Sequence, residues 1–387
     1  MKKKIAIMLT VVTLSVGTFA AVEARAGIFF LFDNIYKILI FVKTMRKIVV
    51  YIISSILLLS CKPGGSVFKI GERVFAPVAN VTNTSLHPTD SLSGAYMEAV
   101  WGIHAVRDSI AILNLYESKS CFRALNLTNL EYVDFLTVGR GPDEIIAGWF
   151  SRTRRVGDAT LVDITAMNED LILSIDLHET MRRGHTAVVE RVKLPPRAAN
   201  SFLLDNKILS EVTFDEDKYS IKVFDKEDLS TLRVEHLYGQ DNYLAEFQPL
   251  FGSIMIMKPD ATRLCMGMRF FDEINIFDIN GDRHLNISTN KRSKSSAIIE
   301  DVIRTVRFPT HRFYVHMDVT DQRIYALYHH GESSDEWQSS TIHVFTWEGE
   351  LVKVYHLDEV LIGLAVSEDE TTLYGLSGEE VLYKYSL

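Results

Sequence analysis

Short apolar segments, each introduced by a turn that contains an aspartate, recur along the chain from about residue 96 to its end. Apolar and polar residues alternate in many of these segments, which is the pattern of a β-strand with one buried face. The spacings between successive turn aspartates are 50, 47, 55, 61 and 48 residues. We expect each carboxylate to accept a hydrogen bond from the backbone two residues on, as aspartate does in tight turns. The six aspartates are Asp108, Asp158, Asp205, Asp260, Asp321 and Asp369.

Further strands follow each aspartate turn, and some are joined by recognisable hairpin turns. Residues 274–278 and 342–345 alternate apolar with polar side chains, and each segment leads into a turn with glycine, Asn280-Gly281 or Glu348-Gly349. Such turns between two strand-like segments are typical of hairpins. Four strands in about 50 residues, repeated six times, predict an all-β fold, a six-bladed β-propeller.

The two chain ends are expected to close this ring. The last repeat ends at Leu387 after only three strands, and residues 67–75 form a spare strand near the other end. We predict that this N-terminal strand supplies the missing outer strand of the sixth blade, because the pairing would remove two open sheet edges. The alternatives are an unclosed all-β array and two separate sandwiches.

The composition is compatible with a large folded body and excludes one class of partner. The 387 residues are 47% hydrophobic and 24% charged, which excludes global disorder. The net charge is −9, but residues 1–60 contain 8 basic and 2 acidic groups, which leaves 33 basic and 48 acidic groups and a charge of −15 for the remainder. A body this acidic lacks the basic footprint that phosphate binding needs, so we exclude nucleic acid as a partner.

The positive charge at the front of the chain belongs to a signal for export. Met45-Arg46-Lys47 precedes an apolar run at residues 48–59, which is too short to span a bilayer and has the length of a signal-peptide core. The following residues, Leu58-Leu59-Ser60-Cys61, resemble the bacterial lipobox. That resemblance implies cleavage before Cys61 and its acylation, which would anchor the protein to a membrane through lipid. The alternative is a plain apolar signal anchor with an incidental cysteine.

A second, similar signal lies upstream. Three lysines at residues 2–4 precede an apolar run at residues 5–21, and Ala24-Arg25-Ala26 has the form of a cleavage site. Because two tandem export signals serve no physical purpose, we hypothesise that translation starts at Met45. A mature product that begins at Gly27 would contradict this.

These features divide the chain into three parts. Residues 1–60 are the export region, residues 61–66 are a lipidated tether that contains Pro63-Gly64-Gly65-Ser66, and residues 67–387 are the propeller. Lys62, next to the lipidated cysteine, is not the aspartate associated with retention in the inner membrane. By resemblance, we therefore expect an outer-membrane lipoprotein of a Gram-negative bacterium that faces the periplasm.

Beyond its export region, the chain resembles the TolB-like six-bladed β-propeller lipoproteins of Gram-negative bacteria. The resemblance rests on the lipobox at Cys61, the segment at residues 138–144 and the six turn aspartates, and it covers residues 61–387. Asp143 and Ile145 depart from the glycine and aromatic residue that relatives tend to show there. The resemblance implies the fold and the location, and it implies little chemistry.

Two candidate binding segments lie in connections. Gly139-Arg140-Gly141-Pro142 is not a phosphate loop, because it lacks the third glycine and the lysine with serine or threonine. It is either a turn between blades or a segment that points Arg140 into the channel mouth. The connection at residues 329–337 holds His329 and Trp337 and is either a solvated loop or a ligand contact. Its adjacent histidines would point to opposite faces, so we do not expect a metal there.

A third connection, at residues 288–311, contains apolar residues at helical spacing, so we expect a helix that either packs on the blade edge or covers the channel. The apolar residues are Ile298, Ile299, Val302, Ile303 and Val306.

Charged and aromatic residues on the innermost strands are further candidates. Arg152 and Arg154 follow Trp149 on the first strand of the second blade, and alternation places the two arginines on one side. They form either a local anion site or buried pairs with Asp or Glu. Trp101 and His104 on the first strand of the first blade have the same two interpretations.

The sequence favours a binding protein over an enzyme. It contains no Gly-x-Ser-x-Gly elbow, no His-Glu-x-x-His and no calcium loop of the EF-hand type, so we assign no catalytic residue, no metal ligand and no cofactor. Cys121 and Cys265 are expected to be core thiols. The leading hypothesis is a non-enzymatic, membrane-tethered propeller that binds a protein, peptide or glycan. The alternatives are a calcium-dependent hydrolase or lactonase of the same fold and a structural member of an envelope assembly.

Overall fold

A computed structural model describes residues 72–141, 144–166, 169–215, 218–236, 250–281, 283–290, 298, 301–302, 304–305, 309–331 and 339–387. Their strands form six small sheets, which are the blades of a six-bladed β-propeller. Three short strands precede the first blade; they are β1 (Glu72–Phe75), β2 (Thr82–Leu86) and β3 (Asp90–Leu92). Two 3₁₀ turns, Val78–Asn80 and Gly94–Tyr96, lie between and after them.

Blades 1 to 5 each use four consecutive antiparallel strands, whereas blade 6 has three consecutive strands of its own. Blade 1 contains β4 (Val100–Arg107), β5 (Ile110–Leu115), β6 (Ser120–Asn126) and β7 (Tyr132–Thr137). Blade 2 contains β8 (Gly148–Val156), β9 (Ala159–Ala166), β10 (Leu171–Asp176) and β11 (Val188–Lys193). Blade 3 contains β12 (Ala198–Leu203), β13 (Lys207–Asp215), β14 (Lys218–Asp225) and β15 (Thr231–His236).

The second half of the ring continues in the same order. Blade 4 contains β16 (Ser253–Met257), β17 (Arg263–Met268), β18 (Ile274–Asp278) and β19 (His284–Ser288). Blade 5 contains β20 (Arg312–Val319), β21 (Arg323–Gly331), β22 (Ser340–Thr346) and β23 (Leu351–Leu357). Blade 6 contains β24 (Leu361–Val366), β25 (Thr372–Ser377) and β26 (Leu382–Ser386).

An N-terminal strand closes the ring, as expected, but it is not the predicted one. β3 pairs antiparallel with β26, and Ser91 lies opposite Tyr383. The predicted segment behaves differently, because its described part, β1, pairs in parallel with β19 at the outer edge of blade 4. β2 adds to β23 of blade 5 in the same way. Alternation showed that residues 67–75 suit a strand, but it carries no information about which edge the strand covers.

Six hydrophobic clusters hold the blades together, one at each interface between neighbours. The cluster between the last and first blades joins Ala365 and Leu376 to Ile103 and Leu113, all of them buried. A blade buries both faces only when it is stacked between two others. The cluster between the last and first blades therefore shows that the six blades form a closed ring.

The predicted aspartate turns are the hairpins between the first and second strands of each blade. Asp260 and Asp369 accept hydrogen bonds from the backbone N–H two residues on, at 2.9 Å and 3.1 Å, as predicted. The other four turn aspartates, all described, do not form this bond; Asp108 lies with Ser109 in a two-residue turn with φ values of 50° and 63°, as a tight hairpin requires. Its carboxylate instead accepts bonds from Arg155 and His178 of blade 2, at 2.5 Å and 2.8 Å.

Two helical segments lie outside the blades. Helix α1 (Leu177–Arg183) was not predicted; the side chain of Asp176 caps its first turn by accepting from Glu179 N at 2.9 Å. Among residues 288–311, those at 298, 301, 302, 304 and 305 are helical, as predicted. Val302 is 1% exposed and packs with Ile298 on the cluster between blades 3 and 4, which supports a structural helix. Cys121 and Cys265 are buried, free thiols, as expected.

Candidate functional site

The two faces of the ring differ in their connections. The connections between blades, and those between second and third strands, share one face, here called the loop face. The hairpins between first and second strands, and the connections between third and fourth strands, share the opposite face, here called the hairpin face. The innermost strand of each blade begins at the loop face and ends at the hairpin face, so each face has its own mouth on the axis.

Five large apolar side chains are exposed at the loop face of blades 1 and 2. Trp101 and Trp149, near the starts of β4 and β8, are 49% and 50% exposed. Tyr116, Val138 and Ile146 lie on the adjoining connections and are 61%, 45% and 43% exposed. We call these five residues the aromatic patch. A group of exposed apolar side chains marks an interaction surface more often than single, scattered ones do.

Backbone hydrogen bonds hold the segments of the aromatic patch together. Tyr116 N donates to the carbonyl of Ala99, next to the start of β4, at 2.8 Å. Val138 N donates to the carbonyl of Lys119 at 2.8 Å, which ties the connection between blades to the same region. The Asn114 side-chain amide, in the orientation that satisfies both of its ends, accepts from Trp101 Nε1 at 3.1 Å. These hydrogen bonds therefore hold in place the backbone that carries the aromatic patch.

Arg140 lies in the connection from blade 1 to blade 2, beside this patch, and is exposed. Gly141 N donates to Glu144 Oε2 at 2.7 Å, so a carboxylate of the chain itself takes the amide that a phosphate loop would offer. The neighbouring Pro142 and Asp143 lie outside the described residues. The segment is a turn between blades whose arginine reaches solvent next to Val138 and Ile146.

Three rings meet across the axis below Trp101 and Trp149. His104 stacks on Phe150 of blade 2, with ring centroids 4.8 Å apart and an interplanar angle of 9°. His316 of blade 5 lies 6.4 Å from His104, and its Nδ1 accepts from Leu364 N of blade 6 at 3.3 Å. Burial lowers the pKa of His104 to about 3, and repulsion from His316 adds to the effect. Both rings are therefore neutral at pH 7; burial lowers the pKa of His316 to about 4.

Two arginines that the sequence analysis did not single out lie at the same mouth. Arg269 directly follows β17 of blade 4, and Arg312 begins β20 of blade 5. The backbone joins their neighbourhoods, because Phe313 N donates to the carbonyl of Arg269 at 2.8 Å. Arg269 is exposed, but the protein around its guanidinium removes part of the solvent and lowers its pKa, and repulsion from Arg312 lowers it further. The charge of Arg269 in turn lowers the pKa of His316.

The predicted candidate Arg152 faces a different environment. It is 9% exposed, and its Nε lies 3.7 Å from the buried Asp163, which also accepts from Arg154 Nε at 2.9 Å. Arg152 Nη2 donates to the carbonyl of Leu203 in blade 3. Arg152 and Arg154 thus form buried pairs with a carboxylate, the second of the two interpretations given by the sequence.

Arg152 also contributes to a cavity of about 670 Å³ at the hairpin face. Its lining includes Arg107 and Arg155 as well as Asp205, Asp260 and Asp321. Arg155 pairs with Asp108 and Glu368, at 2.5 Å and 3.3 Å. Because side chains of both signs line the cavity, it offers a polar lining without a strong preference for either sign of ligand.

The two candidates in the connection of blade 5 separate. His329 belongs to β21 and not to a loop; it is 2% exposed, and its Nε2 lies 3.0 Å from the carbonyl of Leu361 in blade 6. It therefore joins two blades and is closed to a large ligand. Trp337 lies outside the described residues.

Two other features are absent from the described residues. No three side chains of the His, Cys, Asp or Glu type are grouped there as metal ligands. In the same part of the chain, no helix is long and apolar enough to cross a membrane.

Comparisons with known proteins support the fold. No family model and no curated protein matches the chain. A Bacteroides vulgatus protein of the DUF4221 family is similar in structure, with a TM-score of 0.50 and 11% identity over 78% of this chain and 97% of that protein. A proposed exported protein of Bacteroides fragilis gives a TM-score of 0.48 and 11% identity over 79% of this chain and all of that protein. At these identities the similarity concerns the propeller fold alone.

Proposed function

We propose that this protein is a membrane-anchored propeller that binds a protein, peptide or glycan of the cell envelope through the loop face of blades 1 and 2. The observation that carries the proposal is the aromatic patch, in which two half-exposed indoles stand at the mouth of the channel. Aromatic side chains provide large contact areas at a small cost in conformational entropy, and they dominate the energetics of many interfaces. His104 and Phe150, which follow these tryptophans on the same two strands, stack on each other.

The anchor in this proposal is the lipid on Cys61. The sequence around it resembles a lipobox, and the remainder of the chain resembles the TolB-like propeller lipoproteins. Cys61 lies outside the described residues, so the anchor rests on the sequence pattern alone. Metabolic labelling with a palmitate analogue should mark the wild-type protein and leave Cys61→Ser unlabelled. Equal labelling of both proteins would show that Cys61 is not the lipidation site.

The binding role is tested by removing both indoles. The double variant Trp101→Ala, Trp149→Ala should lose binding to the peptides or glycans that the wild-type protein retains on arrays of both kinds. We expect at least a tenfold loss, because each truncated aromatic anchor of an interface costs about 1–2 kcal/mol or more. Both side chains are half exposed, so the double variant should keep a thermal midpoint close to that of the wild type.

A matched control removes exposed apolar residues elsewhere. Val189 on β11 and Leu232 on β15 are 55% and 52% exposed, and both belong to outermost strands away from the loop-face mouth. The double variant Val189→Ala, Leu232→Ala should bind as the wild type does. An equal loss in both double variants, or no binding by the wild-type protein, would contradict the proposed role of the aromatic patch.

A further inference from the structure

Arg269 and Arg312 are two neighbouring arginines that have no carboxylate partner among the residues that the structure describes. Among the described residues, no Asp or Glu forms an ion pair with either guanidinium, and both side chains reach solvent. The backbone bond between Phe313 N and the Arg269 carbonyl keeps them adjacent at the boundary of blades 4 and 5.

Arginines on the innermost strands of blades 1 and 2 show the opposite arrangement. Arg107 lies 3.9 Å from Asp318, Arg154 lies 2.9 Å from Asp163, and Arg155 lies 2.5 Å from Asp108. The body has a surplus of acidic groups, so carboxylate partners are not scarce. Two cations placed side by side without a counter-charge repel each other, and this arrangement becomes favourable when an anion is placed between them. Because His104 and His316 are neutral, they add no further positive charge at the mouth.

We propose that Arg269 and Arg312 bind an oxyanion, namely a carboxylate, sulfate or phosphate group, of the ligand that occupies the loop-face mouth. The proposal rests on the proposed function and adds a chemical requirement to it. Guanidinium groups present several N–H donors in a planar fork that matches the geometry of such anions. A ligand that spans the mouth would place its anionic group on blades 4 and 5 and a ring or apolar face on Trp101 and Trp149. The ligand class is therefore an acidic molecule with an apolar or ring-shaped portion.

The test measures the binding of small anions to the intact protein. Isothermal titration at low ionic strength with glucuronate, inorganic phosphate, sulfate and N-acetyl-alanyl-alanine covers a sugar acid, two mineral anions and a peptide carboxylate. We expect saturable binding of at least one probe, about tenfold weaker in Arg269→Gln and in Arg312→Gln, because a hydrogen bond to a charged group contributes about that factor or more. The probe that binds most tightly identifies the source of the oxyanion.

Arg283 provides a matched control. It is also exposed and without a carboxylate partner among the described residues, but it lies at the hairpin face between β18 and β19. Arg283→Gln should bind the probes as the wild-type protein does. The variants at 269 and 312 should melt at or above the wild-type temperature, since each removes repulsion, so a loss of binding would not reflect unfolding.

The outcomes distinguish this inference from the proposed function. If no probe binds, or if Arg283→Gln weakens binding as much as the other two variants, the oxyanion site is wrong. If that happens while the tryptophan variants still lose array binding, the proposed binding role stands without the oxyanion site. If probes bind through Arg269 and Arg312 but the tryptophan variants behave as the wild type on arrays, the oxyanion site stands and the aromatic patch does not.

Discussion

Asp163→Ala is expected to lower the free energy of unfolding by about 3–5 kcal/mol, because removing one partner of a buried ion pair leaves an uncompensated charge. Asp163 is completely buried, and its carboxylate accepts from Arg154 Nε at 2.9 Å and from Ser174 Oγ at 2.7 Å. Arg152, which is 9% exposed, depends on the same carboxylate, and burial lowers the pKa of its guanidinium. In this variant the guanidinium groups of Arg152 and Arg154 would lose the negative charge of Asp163.

Urea unfolding followed by tryptophan fluorescence measures this effect. Asp163→Asn should lose less than Asp163→Ala, since the amide keeps an acceptor for Ser174 while losing the charge. The control is Asp158→Ala, an exposed turn residue in the hairpin between β8 and β9, for which we expect a change of about 0.5 kcal/mol or less. A loss below about 1 kcal/mol for Asp163→Ala would show that the two arginines find other partners or water.

Mild acid is expected to unfold the protein because four buried histidines remain neutral in the folded state. Burial lowers the pKa of His104 and His343 to about 3 and that of His316 and His329 to about 4, from an ordinary value of 6.5. Below pH 6.5 the unfolded chain takes up protons that the folded chain does not, so the free energy of unfolding falls as the pH falls. Each group contributes about 1.4 kcal/mol per pH unit once this difference is complete.

One buried carboxylate opposes the histidines. Burial raises the pKa of Asp318 to about 6 from 3.8, although Arg107 and the backbone N–H groups of Val366 and Val319 favour its charged form. Its stabilising contribution is present below pH 3.8 and is lost as the pH rises through 6, so it cancels about one histidine near pH 5. The remaining three correspond to about 4 kcal/mol per pH unit, which is a large part of the stability of a typical domain.

Urea unfolding at pH 7.5, 6.5, 5.5 and 4.5 measures this dependence. His104→Phe is the informative variant, because the Nε2 of His104 has no hydrogen-bond partner among the described residues and its ring already stacks on Phe150. It should match the wild type at pH 7.5 and be more stable below pH 6, with a slope reduced by the contribution of about one proton. Equal stability of the wild-type protein at pH 7.5 and 5 would contradict the prediction.

The repeat could be predicted because it is written locally. Each aspartate turn and its following strands lie within about 50 residues, so the period and the number of blades follow from spacing and alternation. The closing strand could not be identified in this way. β1 and β3 are both short strands near the N terminus, and which sheet edge each one covers depends on edges formed more than 200 residues later in the chain.

The candidate site residues also differ in how far local sequence patterns could predict their surroundings. Trp101 and Trp149 lie at the channel mouth, a position that the sequence analysis had given only to Arg140. Arg152 and His329 are buried links between strands or blades, which alternation along one strand cannot reveal. Five of the six innermost strands carry an irregularity in their register, and each irregularity changes which side chains face the channel.

The amino-acid order alone was sufficient for the blade number, the all-β class and the acidic character of the body, because these are sums or repeats of local features. Whether a charge is neutralised depends on the partners that folding brings next to it. Arg154 and Asp163 pair within one blade, whereas Arg269 and Arg312 come together from two blades and meet no carboxylate of the described part of the chain. Closing the ring brings such residues together, and for that reason only the folded chain could reveal the aromatic patch and the paired arginines at one mouth.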